Sequence, residues 1–100
     1  MSQPHISEEA VADLDEIWLY IARGSVRAAD RVLDEIYEAM IRLNKMPHIG
    51  HLREDLAREP LRFWPVRSYL IIYRPDRRPI EIVRVISGYR DIGELLQGSR

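Results

Sequence analysis

The sequence predicts an α+β fold in which a helical hairpin packs on one face of an antiparallel sheet. Two amphipathic stripes occupy the first half of the chain, and three strand-like runs joined by tight turns occupy the second half. Each stripe covers only one side of its helix and therefore needs another layer to pack against. The predicted order is β-α-α-β-β-β with a short C-terminal helix, and residues 1–100 are expected to form one domain.

The N-terminal region predicts a short strand followed by a first helix. The strand, Pro4 to Ile6, is expected either to lie at a sheet edge or to begin at the proline, because proline has no N–H to donate. Ser7 is a favourable N-cap, and Gly24 is expected to end the helix as a C′ glycine. The apolar stripe of this helix comprises Val11, Leu14, Ile17, Trp18 and Ile21. Acidic residues expected to lie off the stripe are Asp13, Asp15 and Glu16.

A second helix is predicted from the N-cap Ser25 to Lys45, with Pro47 stopping it. The short Gly-Ser joint between the two helices predicts an antiparallel hairpin. The stripe of the second helix comprises Ala29, Val32, Leu33, Ile36, Met40 and Leu43.

Three strands are predicted at Leu61 to Val66, Tyr69 to Arg74 and Ile80 to Ser87. The two-residue connection at 67–68 predicts antiparallel pairing of the first two strands. The middle strand is apolar on both faces, which is typical of the centre of a sheet. Residues 47–60 are expected to be irregular or to hold one turn of helix. Asp91 is expected to cap the final short helix, which carries Ile92, Leu95 and Leu96.

Composition excludes several functional classes. The chain has no cysteine, which excludes disulfides, thiolate metal sites and thiol nucleophiles. No apolar run approaches the ~20 residues that span a bilayer, and the N-terminus has no signal-peptide pattern. We therefore expect a cytoplasmic protein without membrane contact.

The charge of the chain is divided between its halves. Residues 1–50 hold five Lys/Arg against nine Asp/Glu, and residues 51–100 hold ten Arg against seven Asp/Glu. The helical half is therefore acidic and the strand half basic. Arginine pairs well with carboxylates and phosphates, which favours a binding surface on the strands. A general arginine preference of the host explains the bias equally well.

Few residues are arranged for catalysis. His48 and His51 are three residues apart, but Pro47 and Gly50 oppose a helix there, so no metal site is expected. No glycine-rich phosphate loop and no cofactor motif is present. The remaining candidates for acid–base chemistry on RNA are tyrosines and arginines of the strands, for which an anchoring or solvating role is the alternative: Tyr69, Tyr73, Tyr89, Arg84 and Arg90.

Short motifs run in a fixed order along almost the whole chain. They are Ile6-Ser7, Ala12-Asp13-Leu14, Ile17-Trp18-x-Tyr20-Ile21, Pro47-x-Ile49-Gly50, Leu61-Arg62, Pro65-Val66-x-x-Tyr69-Leu70-Ile71-x-Tyr73-Arg74 and Ile82-x-Arg84-Val85-Ile86-x-Gly88-x-Arg90-Asp91. In order and spacing they resemble the ParE branch of the RelE/ParE toxin superfamily. The resemblance implies the toxin of a type II toxin–antitoxin pair, which is neutralised by a ParD-like antitoxin and inhibits DNA gyrase by binding.

The RelE branch, which cleaves mRNA on the ribosome, is the alternative. A resemblance to this branch would require lysines before the middle strand, an arginine directly after the tyrosine that opens it, an arginine after the glycine of the last strand and a C-terminal tyrosine. This chain has Phe63 in the first region and Leu70 after Tyr69, and only Arg90 matches. Each missing acid–base or charge-stabilising group is worth ~10²–10³ in rate. The departures favour a non-enzymatic toxin without sequence-specific nucleic-acid binding, and Arg90 is a weak catalytic candidate.

The resemblance also implies two binding surfaces. An antitoxin tail that folds on binding is expected on the helical hairpin, at Trp18, Tyr20, Ile21, Tyr37 and Met40. The alternative is that all five residues belong to the core. The gyrase-binding residues are expected at the end of the last strand, at Arg84, Tyr89 and Arg90. The basic strand half is expected to complement an acidic antitoxin tail.

Overall fold

A computed structural model describes residues 3–53 and 60–87. In chain order the elements are β1 (His5–Ile6), α1 (Glu8–Ala22), α2 (Val26–Lys45), β2 (His51–Leu52), β3 (Arg62–Val66), β4 (Tyr69–Arg74) and β5 (Glu81–Ser87). Two helices thus precede three consecutive strands, as predicted. The expected C-terminal helix beginning at Asp91 lies outside the described residues.

The five strands form one mixed sheet in the order β1-β5-β4-β3-β2. β4 is central, as its apolar sequence predicts, and β1 lies at an edge, which is one of the two arrangements that Pro4 allows. The sheet is not wholly antiparallel, because β1 pairs parallel to β5. Region 47–60 is not wholly irregular either, since β2 pairs antiparallel with β3 at the opposite edge. That two-residue strand is defined by its partner, so its own sequence gives little sign of it.

Helix α1 begins at the N-cap predicted for it. The Oγ of Ser7 accepts a hydrogen bond from the Ala10 N–H at 3.1 Å and donates one to the Val83 carbonyl at 2.8 Å. The first contact satisfies a free N–H of the first turn, and the second attaches the start of the helix to β5. Ser7 therefore serves the helix and the sheet at once.

The buried face of α1 differs from the predicted stripe in three positions, Ala10, Val11 and Asp13. Val11 is 46% exposed, whereas Asp13 is only 8% exposed. The buried arc runs through Ala10, Asp13, Leu14 and Ile17, because the carboxylate of Asp13 has charged and backbone partners in the sheet. The helix does end near Gly24, but that glycine does not adopt the left-handed conformation expected of it.

Helix α2 follows its prediction closely. The Oγ of Ser25 accepts a hydrogen bond from the Ala28 N–H at 3.1 Å, and the helix ends at Lys45. All six residues of the predicted stripe are buried: Ala29, Val32, Leu33, Ile36, Met40 and Leu43. The strong segregation of polar and apolar residues in this helix makes its orientation readable from the sequence.

The core lies on both faces of the sheet. On the face covered by the helices, Ile71 and Tyr73 of β4 join the apolar stripes of both helices. On the other face, Ile72 of β4 lies in a second cluster. The members of this second cluster are Leu61, Phe63, Ile72 and Ile86, with Leu70 and Val83 packed against them. Alternation along β4 therefore places apolar side chains in two separate clusters.

Tyr73 anchors the turn that precedes β2. Its hydroxyl donates to the Pro47 carbonyl at 2.7 Å and accepts from the Gly50 N–H at 3.0 Å. Arg62 donates to the Gly50 carbonyl at 2.7 Å. A Cβ atom at Gly50 would lie 2.3 Å from the Tyr73 hydroxyl, so this position requires glycine. Burial raises the pKa of Tyr73, which favours an anchoring role over proton transfer.

Candidate functional site

Among the residues that the structure describes, two concave surfaces flank helix α1. The first, which we call the helix groove, lies between α1 and α2 and has a volume of about 450 Å³. Its lining residues come from both helices and are Leu14, Asp15, Trp18, Asp30, Leu33, Asp34 and Tyr37. Leu14 and Leu33 are buried and form an apolar floor. A groove of this kind between two helices suits an amphipathic segment.

Trp18 is held in the helix groove by a contact between the two helices. Its indole Nε1 donates a hydrogen bond to Oδ1 of Asp30 at 2.8 Å. Tyr37, from α2, is 42% exposed and lines the same groove. The structure thus brings together two of the aromatic residues predicted to contact a partner, and orients one of them before any partner binds.

The second surface, which we call the strand cavity, lies between α1 and the ends of β4 and β5. It has a volume of about 610 Å³. The lining residues are Asp13, Glu16, Ile17, Leu19, Tyr20, Arg23, Ser68, Tyr69, Val85, Ile86 and Ser87. Tyr20 is 70% exposed at this cavity, with the Arg23 guanidinium 5.9 Å from its ring centroid. An aromatic ring and a cation are therefore both presented to solvent here.

The predicted partner-binding residues do not form one surface. Trp18 and Tyr37 share the helix groove, whereas Tyr20 lines the strand cavity, because residues two apart on a helix point in nearly opposite directions. Ile21 is partly buried against the core. Met40 is 1% exposed and belongs to the core, so its inclusion in an exposed groove was wrong. Its place in the stripe of α2 was the better guide.

Arg84 forms an ion pair with Asp13 across the helix–sheet interface. Its Nε and Nη2 atoms donate to the two carboxylate oxygens of Asp13 at 2.7 Å and 2.8 Å. The Val85 N–H donates to Oδ2 of the same carboxylate at 3.0 Å. The hydrogen bond with Asp13 raises the pKa of Arg84. The guanidinium expected to face a target is therefore engaged inside the protein and holds α1 against β5.

The shape of β5 explains how Arg84 reaches the helix. The pairing of β4 and β5 shifts register between Ile72 and Tyr73, so that Val83 is skipped in the ladder. Such an irregularity bends a strand and redirects its side chains. The skipped Val83 carbonyl accepts the hydrogen bond of Ser7, and its neighbour Arg84 meets Asp13.

Sequence reasoning missed the acidic residues of these surfaces. Asp13 lies three residues after Ala10 and four before Ile17, which places all three on one helical face. That spacing was a usable signal, although a charged residue is rarely buried without a partner. Asp15 was expected only to lie off the apolar stripe, and no role was assigned to Asp30 or Asp34. The structure places these three carboxylates together around the helix groove.

The other predicted site residues divide into two groups. Tyr89 and Arg90 lie outside the described residues, and Ser87, the last described residue, lines the strand cavity. Phe63 and Leu70, where the RelE resemblance would require charge, pack in the apolar cluster on the face away from the helices.

In residues 3–53 and 60–87, no cluster of three histidine or carboxylate side chains is placed to hold a metal ion. No helix in the described ranges is both long and apolar enough for a membrane span.

Comparison with known proteins gives one family and one fold. A family model described as the ParE toxin of the type II toxin–antitoxin system, parDE, matches residues 5–92. A chain of the chromosomal ParDE TA system from P. aeruginosa superposes with a TM-score of 0.69 at 22% sequence identity. The alignment covers 87% of this chain and 96% of that chain, so the two share a fold. No curated protein sequence matches.

Proposed function

Because the chain belongs to the ParE toxin family of type II toxin–antitoxin systems, we propose that it inhibits DNA gyrase by binding and is neutralised by a ParD-like antitoxin. The proposed mechanism involves no catalytic step and no cofactor, and the proposed site of action is the cytoplasm. Two observations support this proposed function: the match of the family model to residues 5–92, and the chemistry of the two surfaces beside α1.

The observation that carries a binding mechanism is the apolar environment of Phe63 and Leu70. Both lie in the cluster that also contains Leu61, Ile72 and Ile86. Phosphoryl transfer requires groups that stabilise negative charge and move protons, which these side chains cannot supply. Arg84, which was expected to bind the target, is instead paired with Asp13. These features support inhibition by contact over cleavage of RNA.

The antitoxin is proposed to dock in the helix groove. Trp18 and Tyr37 present aromatic surface there, above the buried side chains of Leu14 and Leu33. Aromatic residues in a concave site are common anchors of protein interfaces. Tyr20 and Ile21 are proposed as contacts only for a segment that continues past the end of the groove towards the strand cavity.

The target is proposed to bind beside the strand cavity, through Tyr89 and Arg90. Arg84 is proposed to contribute by holding the end of β5 through Asp13 rather than as a free cation. Ser87 lines this cavity, which connects the last described residue of β5 with the exposed ring of Tyr20.

A supercoiling assay tests this function. We expect the purified protein to inhibit negative supercoiling by gyrase and to accumulate cleaved DNA complexes. Arg90→Ala should weaken inhibition about tenfold or more, which is the effect of losing one important arginine contact at an interface. The matched control is Arg77→Ala, which removes an exposed arginine from the β4–β5 turn, where its guanidinium pairs with Glu81.

The opposite result identifies the RelE-type alternative. If gyrase is unaffected and translated mRNA is cleaved in a way that Arg90→Ala abolishes, the protein is a ribosome-dependent endonuclease. If neither activity is detected in a protein that folds and binds the antitoxin, the proposed target is wrong.

A further inference from the structure

The helix groove combines an apolar floor with an acidic rim. Leu14 and Leu33 are buried beneath it, and its charged lining residues are Asp15, Asp30 and Asp34. No lysine or arginine is among the described residues that line it. The groove therefore has the chemistry to receive an amphipathic segment that brings positive charge.

Two of the three carboxylates have no polar partner within the described parts of the chain. Asp30 accepts the indole N–H of Trp18, but neither Asp15 nor Asp34 takes part in an ion pair or hydrogen bond among residues 3–53 and 60–87. By contrast, the carboxylate of Glu35 on α2 is paired with the guanidinium of Arg67. Within the described residues, Asp15 and Asp34 would therefore break no existing contact on binding a cation supplied by another molecule.

We propose that the antitoxin segment in the helix groove carries an arginine or lysine that binds between the carboxylates of Asp15 and Asp34. The inference rests on the proposed antitoxin partnership and adds the chemistry of the segment. Apolar side chains of the segment cover Leu14 and Leu33, and its cation lies near the Trp18 ring, which attracts positive charge through its π face. This differs from the expectation of an acidic tail, because the basic strand half is not the surface that forms the groove.

The test measures antitoxin affinity for charge-neutral variants of the full-length toxin. The probe is the purified protein encoded by the reading frame adjacent to the toxin gene. Asp15→Asn with Asp34→Asn keeps the side-chain shapes and removes two charges. We expect affinity to fall about five- to tenfold in about 50 mM NaCl, and the difference to shrink to less than about twofold in about 0.5 M NaCl, since salt screens exposed charges.

The control variant is Glu8→Gln with Asp76→Asn. It removes the same net charge at exposed positions outside the groove, and should bind the antitoxin as the parent does. A second pair of variants, Trp18→Ala and Tyr37→Ala, tests the groove independently of charge. Circular dichroism and thermal melting show whether each variant is folded before its affinity is compared.

Each outcome has one interpretation. If the double Asp→Asn variant binds equally well or more tightly while Tyr37→Ala binds weakly, the antitoxin occupies the groove but its segment is not basic. If both folded aromatic variants and the charge variant bind like the parent, the groove is not the docking site and the inference is overturned. If the adjacent protein binds neither the parent toxin nor its variants, the proposed antitoxin partnership itself fails.

Discussion

The Tyr73 hydroxyl lies so close to the backbone of Gly50 that a side chain at position 50 has no room. Tyr73 also donates to the Pro47 carbonyl, so one buried phenol fixes both ends of the turn that leads into β2. This is a packing constraint rather than a conformational one, because no glycine among the described residues has a positive φ.

Gly50→Ala should therefore destabilise the protein by about 1–3 kcal/mol, because the new methyl group displaces Tyr73 and breaks its hydrogen bond. Urea denaturation measures the free energy of unfolding. The matched control is Gly24→Ala, where the nearest atom to a new Cβ, the Ile21 carbonyl oxygen, is 3.8 Å away. That variant should be neutral or more stable by up to about 1 kcal/mol. Equal losses in the two variants would contradict the packing argument.

Single residues also show where sequence reasoning stops. The burial of Met40 follows from its position in the stripe of α2, and the sequence alone placed it there correctly. Asp13 is different, because its burial depends on Arg84, which is 71 positions further along the chain. The periodicity of a sequence relates residues on one helix to each other. It carries no information about a partner that a register shift in a distant strand brings to that helix.

At the scale of elements, both helices begin with a serine cap, but the two serines have different surroundings. Ser25 caps α2 at an exposed position through the Ala28 N–H alone. Ser7 caps α1 and also donates to the Val83 carbonyl of β5. One cap therefore acts within its helix, and the other also joins two layers.

Ser7→Ala should cost more than Ser25→Ala. Removal of a cap costs about 1 kcal/mol, which is the loss expected at Ser25. Ser7→Ala also leaves the Val83 carbonyl without its donor, and we expect a total loss of about 2–3 kcal/mol. Denaturant unfolding of the two variants gives the comparison directly. A smaller loss for Ser7→Ala would mean that water replaces the hydroxyl at Val83.

The elements themselves were predictable to different degrees. α2, β4 and the antiparallel hairpin of β3 and β4 follow from apolar patterns and a short turn. β2 and the parallel pairing of β1 do not, because each is a two-residue strand whose existence depends on a neighbour distant in sequence. The acidic helix groove was also missed, since its carboxylates come from two helices and become adjacent only when the hairpin packs.

At the scale of the whole molecule, the pair of Asp13 and Arg84 holds the helical layer to the sheet. Both side chains are largely buried, and the carboxylate also accepts the Val85 N–H. A buried ion pair gives little net stability compared with apolar packing, but removing one partner leaves the other charge uncompensated.

Asp13→Asn should therefore destabilise the protein by about 2–4 kcal/mol, less than for a completely buried pair because both groups retain some solvent contact. Asp13→Leu combined with Arg84→Met should recover part of this loss, since no charge is then left buried. Thermal unfolding followed by circular dichroism compares the parent, the single variant and the double variant. A double variant less stable than Asp13→Asn would show that the pair does more than compensate its own burial.

The parallel pairing of β1 with β5 has a consequence for how the toxin is made. His5 and Ile6 pair with Glu81 and Ile82. The first strand to leave the ribosome therefore cannot pair until β5, the last of the described strands, has been synthesised. Until then Ser7 and Asp13 lack their partners in β5, and the apolar stripe of α1 lacks part of its sheet. A chain that terminates early therefore cannot close this fold and exposes apolar surface that proteases and chaperones recognise. The fold, and any activity that depends on it, is therefore complete only after β5 has been translated.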